Sequence, residues 1–218
     1  MVQTPLQLQR HTPERLGTRA SLYQLVLKPS FDQVIAAILL LLLAPLVVIV
    51  VCSVRARLGR GVIYRQRRVG KNDRVFTMYK FRTMAPDRRT IHEPYLGVER
   101  RIGHKRDDDP RHTSLGRALR RWSLDEIPQL WNVMLGHMSL VGPRPELEEV
   151  VDKFGLWDHP RHAVRPGITG LFQISPDRAG LLHEHLEYDL EYVSRCSFRR
   201  DLQILVRTPR AVWNRQGH

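Results

Sequence analysis

The sequence predicts a mostly helical α+β protein that is attached to a membrane. Residues 34–54 form an apolar run without a charged side chain. Two β-rich segments flank a turn-rich stretch between residues 61 and 84, and apolar residues recur at helical spacing in much of the remaining chain. With 218 residues, the chain is long enough for one domain with a sizeable core.

The composition is strongly basic and poor in cysteine. The chain has 35 Lys and Arg residues against 22 Asp and Glu, a net charge of +13. Such a balance implies an anionic partner, which could be nucleic acid, lipid headgroups or a phosphorylated substrate. Cys52 and Cys196 have neither a disulfide framework nor a zinc spacing, so we expect a reducing compartment.

Residues 1–27 are polar and contain scattered arginines, which predicts a flexible extension. The apolar run begins too far along the chain for a secretory signal, and no small-residue cleavage site follows it cleanly.

The apolar run is long enough to cross a bilayer, because 21 helical residues at about 1.5 Å each span the roughly 30 Å hydrocarbon core. Pro45 lies in its middle and removes a helical hydrogen bond. Lys28 precedes the run, and three arginines, Arg55, Arg57 and Arg60, follow it. The positive-inside tendency would place both flanks in the cytoplasm. The residues alone leave two arrangements open: a bent helix that returns to one face, and a single-pass anchor.

The segment between residues 61 and 84 predicts a short β-hairpin with a basic, polar loop. Lys80 and Arg82 end its second strand among aromatic residues. Cations at this position are typical of a protected sheet edge, and they would also suit phosphate or headgroup binding.

Residues 120–145, RRWSLDEIPQLWNVMLGHMSLVGPRP, contain the strongest candidate site. Ser123 and Glu126 have the spacing of a capping box, which would put Asp125 in the first turn of a helix. The helix dipole there favours an ionised carboxylate. Beside arginines, it could serve as a nucleophile or metal ligand near phosphates, although ordinary capping explains the same residues. Pro128 lies early enough to shift the helix start.

The rest of the chain predicts further helices and turns. Residues 85–112 suggest a loop or a short helix near 98–102, and the acidic run 107–109 is more typical of a solvated surface than of a metal site. Residues 113–121 predict a short amphipathic helix, and another is expected directly after Pro145 with acids in its first turn. Residues 161–175 suggest irregular structure. Two amphipathic helices are expected at 181–193 and 198–213, and the second would suit either a membrane interface or a protein core. Four scattered histidines are expected at the surface: His159, His162, His183 and His185.

Residues 28–213 resemble a known family, the small monotopic bacterial sugar transferases that act on polyprenyl phosphate. The resemblance rests on LKPSFD, VFTMYKFRTM, DPRHTSLGRALRRWSLDEIPQLWNVMLGHMSLVGPRP, RHAVRPGITGLFQIS and YDLEYVSRCSFRRDLQIL, in this order along the chain. It implies a re-entrant membrane helix bent at Pro45 in residues 28–57, and a catalytic domain in residues 58–218 with interfacial helices. That domain would lie on the cytoplasmic face of the bacterial inner membrane.

The resemblance also implies a reaction: a sugar phosphate moves from a nucleoside diphosphate sugar, usually a UDP-sugar, to undecaprenyl phosphate. Asp125 would be the nucleophile that forms a phosphosugar intermediate, and Glu126 would bind Mg²⁺. The expected substrate-binding set is Lys80, Arg82, Arg120, Arg144, Arg165 and Gln173. Nucleic acid is not an expected partner, and the sugar, the glycan pathway and the oligomeric state are left open.

Three segments depart from the pattern of that family. Ala44-Pro45 replaces a Ser-Pro bend, His137 replaces a frequent aspartate, and residues 171–178 differ from a tract that follows Gly-Ile-Thr-Gly. Two other functions remain as alternatives. A membrane-anchored protein that binds anionic lipid or nucleic acid would not need Asp125, and a metal-dependent phosphodiesterase would use the same acids without a polyprenol acceptor.

Overall fold

The computed structural model describes residues 21–85, 111 and 113–213. The predicted short helix at 98–102, the acidic run 107–109 and most of the N-terminal extension lie outside these residues. The fold is α+β and mostly helical, as predicted. Its helices are α1 Lys28–Leu42, α2 Ala44–Leu58, α3 Ser114–Arg121, α4 Gln129–Met134, α5 Glu148–Phe154, α6 Leu171–Ile174, α7 Glu187–Ser194 and α8 Phe198–Trp213. Its strands are β1 Ile63–Val69, β2 Val75–Phe81, β3 Ser139–Val141, β4 Glu146–Leu147 and β5 Gly167–Thr169.

The apolar run is divided into α1 and α2 at Leu43, whose φ of −85° and ψ of −1° depart from the regular α-helical values of about −63° and −42°. Pro45 explains the division, because it has no N–H to donate to the carbonyl four residues earlier. The predicted break is therefore confirmed, whereas a re-entrant course stays a prediction. Tyr23–Leu42, which includes a π-helical turn before α1, is 20 residues long and is apolar enough to cross a membrane by length and composition.

Helix α1 is fixed to the rest of the protein by polar contacts near its start. Lys28 Nζ lies 2.6 Å from Asp201 Oδ2 of α8. Ser139 Oγ donates to Asp32 at 2.5 Å, and Gln33 Nε2 donates to the carbonyl oxygen of Met134 at 3.1 Å. Thus one face of the apolar helix is part of the folded domain.

The predicted hairpin is confirmed. Strands β1 and β2 pair antiparallel from Ile63↔Phe81 to Val69↔Val75. Asn72 and Asp73 have positive φ in the connecting turn, a conformation that Asn and Asp tolerate better than most residues. Strand β4 pairs antiparallel with β1, and β3 pairs parallel with β5.

Several sequence predictions need correction. The helix after Pro145 begins only at Glu148, because residues 146–147 form β4 along the hairpin, although Glu148 and Glu149 do lie in its first turn. Residues 161–175 are more regular than expected and contain β5 and α6. The helix predicted at 181–193 begins at Glu187, after a 3₁₀ turn at Leu182–Glu184. His162 is buried against Asp73, whereas a surface position was predicted.

Two apolar clusters position the candidate site. One joins α1, β2, α4, β3, α7 and α8, and the other joins α2, β2 and α3. Ile127 packs against both clusters. The chain just before Ile127 is therefore held between the two parts of the core.

Candidate active site

Asp125 and Glu126 lie in a single 3₁₀ turn, Leu124–Glu126, between α3 and α4. The predicted capping box is wrong: Ser123 has left-handed backbone angles and makes no side-chain capping hydrogen bond. Pro128 has no N–H to continue helical bonding, and α4 starts at Gln129. The two acids are thus held by a tight turn and not by a helix N-terminus.

Three segments bring cations to this turn. Lys80 Nζ, at the end of β2, lies 2.9 Å from Glu126 Oε1, and Arg144 Nη2 lies 3.9 Å from the same oxygen. Arg120, at the end of α3, donates to Thr83 Oγ1 at 3.2 Å. The Lys80 and Glu126 side chains are only 17% and 15% exposed, so water screens their attraction weakly.

Burial dominates the electrostatics of Asp125, which is 9% exposed. Burial raises the pKa of Asp125 to about 6. The positive charge of Lys80 lowers this pKa, and the negative charge of Glu126 raises it. A backbone hydrogen bond and Arg120 have smaller effects that lower it. The expected stabilisation of the charged form by a helix N-terminus is wrong, because the acids lie in a 3₁₀ turn, and desolvation outweighs the favourable partners of Asp125. With a pKa of about 6, Asp125 is still mostly ionised at pH 7 but is a stronger base than an ordinary aspartate.

A small cavity of about 110 Å³ opens beside the carboxylate turn, and helix α8 forms one of its walls. Its lining includes three residues predicted from the sequence, Glu126, Arg144 and Gln173, together with Ser123, Ile168, Thr169, Ile174, Thr208, Ala211 and Val212. Within the described part of the chain, both amide atoms of Gln173 are buried without a hydrogen-bond partner. A buried amide of this kind is suited to a bound ligand that supplies the partners.

Sequence reasoning missed the hydroxyl groups of this cavity. Thr169 Oγ1 and Thr208 Oγ1 lie 2.9 Å apart across β5 and α8. A signal for Thr169 was available, because it stands between two glycines in a tract that requires close packing. A Cβ added to Gly170 would lie 2.2 Å from the carbonyl oxygen of Gly142. No comparable signal marks Thr208, which lies within a helix.

Two residues of the predicted substrate-binding set lie elsewhere. The guanidinium of Arg82 donates to the carbonyl oxygens of Leu58, Arg60 and Gly61. These contacts tie β2 to the C-terminal end of α2, where carbonyl groups attract a cation, and they give Arg82 a structural position. Arg165 lines a separate, larger cavity together with His137.

The carboxylate pair can be tested against the expected Mg²⁺. No group of three or more His, Cys, Asp or Glu residues suited to a metal ion occurs among residues 21–85, 111 and 113–213. Mg²⁺ commonly takes one or two protein carboxylates and fills its shell with substrate phosphates and water. Asp125 and Glu126 fit an ion held in that way, and a role for the metal stays a prediction.

The fold and the site define a protein with two apolar helices and a buried carboxylate surrounded by cations. The chain belongs to the bacterial sugar transferase family, whose model matches residues 23–215. It is 38% identical over 196 residues to the exopolysaccharide production protein ExoY of Sinorhizobium fredii, covering 87% of each chain.

Two longer relatives have more specific names. A UDP-galactose-lipid carrier transferase of Erwinia amylovora is 37% identical over 197 residues. An undecaprenyl-phosphate galactose phosphotransferase of Salmonella typhimurium is 35% identical over 201 residues. Each match covers 88% of this chain and 41% of the longer protein.

Proposed function

We propose that this protein transfers a sugar phosphate from a UDP-sugar to undecaprenyl phosphate, as an early membrane step in the synthesis of an exopolysaccharide. Family membership and the names of the relatives support the substrate classes. The observation that carries the proposal is the position of Asp125, a buried carboxylate with a raised pKa beside Lys80, Glu126 and Arg120. Such a group has the basicity of a nucleophile and the cationic surroundings that a diphosphate requires.

The proposed reaction has two displacements at one phosphorus atom. First, a carboxylate oxygen of Asp125 attacks the phosphorus next to the sugar; an aspartyl–phosphorus bond forms, the bond to the UMP oxygen breaks, and UMP leaves with the electron pair. Second, a phosphate oxygen of undecaprenyl phosphate attacks the same phosphorus. The aspartyl bond then breaks, Asp125 is regenerated, and the product is undecaprenyl diphosphate sugar.

The surrounding residues have separate proposed roles in these steps. Arg144 and Lys80 neutralise charge on the transferred phosphate, and they hold the Glu126 carboxylate in place. Gln173 can offer its buried amide to a polar group of the donor. Mg²⁺, held through Glu126 and the substrate, would supply further neutralisation of the diphosphate charge.

The proposed location is the cytoplasmic face of the inner membrane. A soluble nucleotide sugar and a lipid-borne phosphate can meet there. Helices α1 and α2 both pack on the domain that carries Asp125, which agrees with a membrane segment that enters and leaves by one face.

The decisive experiment measures the covalent intermediate directly. Purified protein in lipid particles is mixed with Mg²⁺ and a panel of UDP-sugars, and its intact mass is recorded before undecaprenyl phosphate is added. We expect a phosphosugar adduct that is absent in Asp125→Asn, and release of UMP with the first step. Glu126→Gln is the control, because it removes the charge of the adjacent carboxylate. It should slow formation of the adduct but not abolish it, since Asp125 can still attack the phosphorus.

Absence of an adduct and of UMP with every donor would count against the transferase. The same result, together with Asp125→Asn protein that retains full lipid binding, would favour a non-catalytic membrane-binding protein. Release of sugar phosphate to water without an acceptor would favour a phosphodiesterase.

A further inference from the structure

A second and larger cavity, of about 700 Å³, lies at the hairpin turn and not at the carboxylate pair. Its described lining residues are Arg67, Gly70, Lys71, Asn72, Arg74, Val75, Phe76, Thr77, Gly136, His137 and Arg165. Four of them are lysine or arginine, and none carries a carboxylate. The cavity is therefore a strongly positive concavity on an already basic protein.

Among the described residues, most of this positive charge has no acidic partner. Arg67 pairs with Glu148 at 2.8 Å. For Lys71, Arg74 and Arg165, in contrast, no ion pair or side-chain hydrogen bond occurs within the described residues. Three cations without a partner among the described residues, placed around one opening, attract an anion, and phosphate oxygens match their donors.

The acid of the same turn does not enter the cavity. Asp73 Oδ1 lies 2.6 Å from His162 Nδ1, and Asp73 Oδ2 accepts the backbone N–H of Asp158 at 3.2 Å. The turn thus directs its carboxylate to the segment that follows α5, and leaves its cations facing the opening.

This cavity is displaced along the fold from the carboxylate pair. Thr77 lines the cavity, and Lys80 of the same strand contacts Glu126. They are three positions apart along the strand, which is roughly 10 Å. Strand β5 also separates the two cavities. Arg165, which precedes the strand, lines the larger cavity, whereas Thr169 at the other end of the strand lines the cavity beside the carboxylate turn.

The cavity lies next to the apolar helix. A Cβ added to Gly136 would lie 3.5 Å from Gln33 Nε2 of α1 and 3.6 Å from Arg165 Nη2. Around Gln33, the side chains of Phe31, Val34 and Ile38 are more than half exposed. An apolar surface beside a basic opening is the arrangement expected at the headgroup level of a membrane.

We propose that the hairpin-turn cavity is a second phosphate-binding site, and that its phosphate belongs to the headgroup of an anionic phospholipid. The proposal does not depend on chemistry at Asp125. It concerns binding alone, so its failure and the failure of the transferase are measured separately.

The test uses the full-length protein in neutral detergent and native mass spectrometry. Wild type is titrated with short-chain phosphatidylglycerol, with phosphatidylcholine of equal chain length, and separately with inorganic phosphate and UMP. Lys71→Gln/Arg74→Gln removes two cations of the cavity. Lys153→Gln/Arg195→Gln removes the same charge from two exposed positions elsewhere.

We expect wild type and the control to retain phosphatidylglycerol in preference to phosphatidylcholine, and the cavity variant to bind it roughly 30-fold more weakly. A second variant, Arg74→Glu, also lowers the charge of the cavity by two and should weaken binding to a similar extent, most strongly at low salt. Its unfolding midpoint will show whether it is folded. Competition by UMP or phosphate, without any preference for phosphatidylglycerol, would keep a phosphate site but assign it to a soluble ligand. Equal affinities for wild type and both cavity variants would overturn the proposal.

Discussion

Lys80 Nζ lies 2.9 Å from Glu126 Oε1, and this contact joins the last residues of β2 to the turn that carries Asp125. The hairpin thereby controls the charge next to the proposed nucleophile. The same lysine lowers the pKa of Asp125, against the larger effect of burial. Lys80 therefore has two consequences that can be separated by experiment, one for the position of Glu126 and one for the ionisation of Asp125.

Replacing Lys80 by Met should shift the acid limb of the pH–rate profile to higher pH. Without the lysine charge, the pKa of Asp125 should rise above about 6, and a smaller fraction will be ionised at pH 7. The rate of adduct formation, measured between pH 5 and 8.5, should fall by about tenfold or more at pH 7. Lys80→Arg keeps the charge and should keep the position of the acid limb; if Lys80→Met leaves that position unchanged, Lys80 does not tune Asp125.

Asp125→Asn should abolish adduct formation and yet stabilise the protein near neutral pH. The pKa of Asp125 is higher in the folded protein than in the unfolded chain, so the folded state loses stability when the group ionises. The protonated Asp125 carboxyl group contributes fully to the stability of the folded state below about pH 3.8. This contribution is lost as the pH rises through about 6. The loss corresponds to at most about 3 kcal/mol. Urea unfolding of both proteins from pH 4 to 8 measures the difference.

The control for this stability effect is Glu184→Gln, which neutralises an exposed acid in the turn Leu182–Glu184. Its unfolding free energy should follow wild type across the same pH range. If Asp125→Asn also follows wild type, burial does not raise the pKa of Asp125 in the folded protein.

The sequence predicted those features that depend on local chemistry. The break near Pro45 was predictable because proline lacks an N–H, and α8 because its apolar spacing is regular. The residues around Asp125 could be named from the resemblance, but not their conformation. The 3₁₀ turn arises from left-handed Ser123 and from packing of Ile127 between two clusters, which are tertiary effects.

Long-range contacts were beyond sequence reasoning. Arg165 and Arg144 both looked like phosphate ligands, and only the fold separates them into different cavities. Arg82 has the same chemistry as both, yet it binds backbone carbonyls of the chain that follows α2. Strands β4 and β5 contain two and three residues, too few to show an alternating pattern.

Asn132→Ala should destabilise the protein through the hairpin. Asn132 is fully buried; its Oδ1 accepts from the N–H of Tyr79 at 3.0 Å, and its Nδ2 donates to the carbonyl oxygen of Thr77 at 2.7 Å. The substitution leaves two partly buried backbone groups unpaired, at a cost of about 2–4 kcal/mol. Denaturant unfolding tests this, with exposed Gln203→Ala as the control. A loss below about 0.5 kcal/mol would show that the backbone groups find other partners.

Lys28→Met should also be strongly destabilising, because Lys28 is the cation of a buried cluster. Its Nζ lies 2.6 Å from Asp201 and 3.5 Å from Asp32. Removing it leaves buried negative charge uncompensated, which typically costs about 3–5 kcal/mol. Lys28→Met/Asp201→Asn removes one charge of each sign and should recover part of the loss. Equal unfolding free energies for Lys28→Met and the exposed control Lys153→Met would refute a structural role for this ion pair.

Both flanks of the apolar segment should be on the same side of the membrane. Single cysteines replace Ser21 before α1 and Arg60 after α2, both exposed, in a chain whose native Cys52 and Cys196 are changed to Ala. In right-side-out spheroplasts, an impermeant maleimide should label neither, and in inside-out vesicles it should label both. A single-pass anchor would instead give opposite results for the two positions.

Pro45→Ala should leave this labelling pattern unchanged. The substitution restores one backbone donor and removes the local cause of the break at Leu43. Yet α1 stays bound to the domain through Gln33 and Met134, and α2 through Val54 against the cluster of Phe81 and Leu119. A straight span would have to give up one of these sets of contacts, which costs more than one helical hydrogen bond contributes. If Pro45→Ala moves the cysteine at position 21 to the outer face, the bend depends on the proline alone.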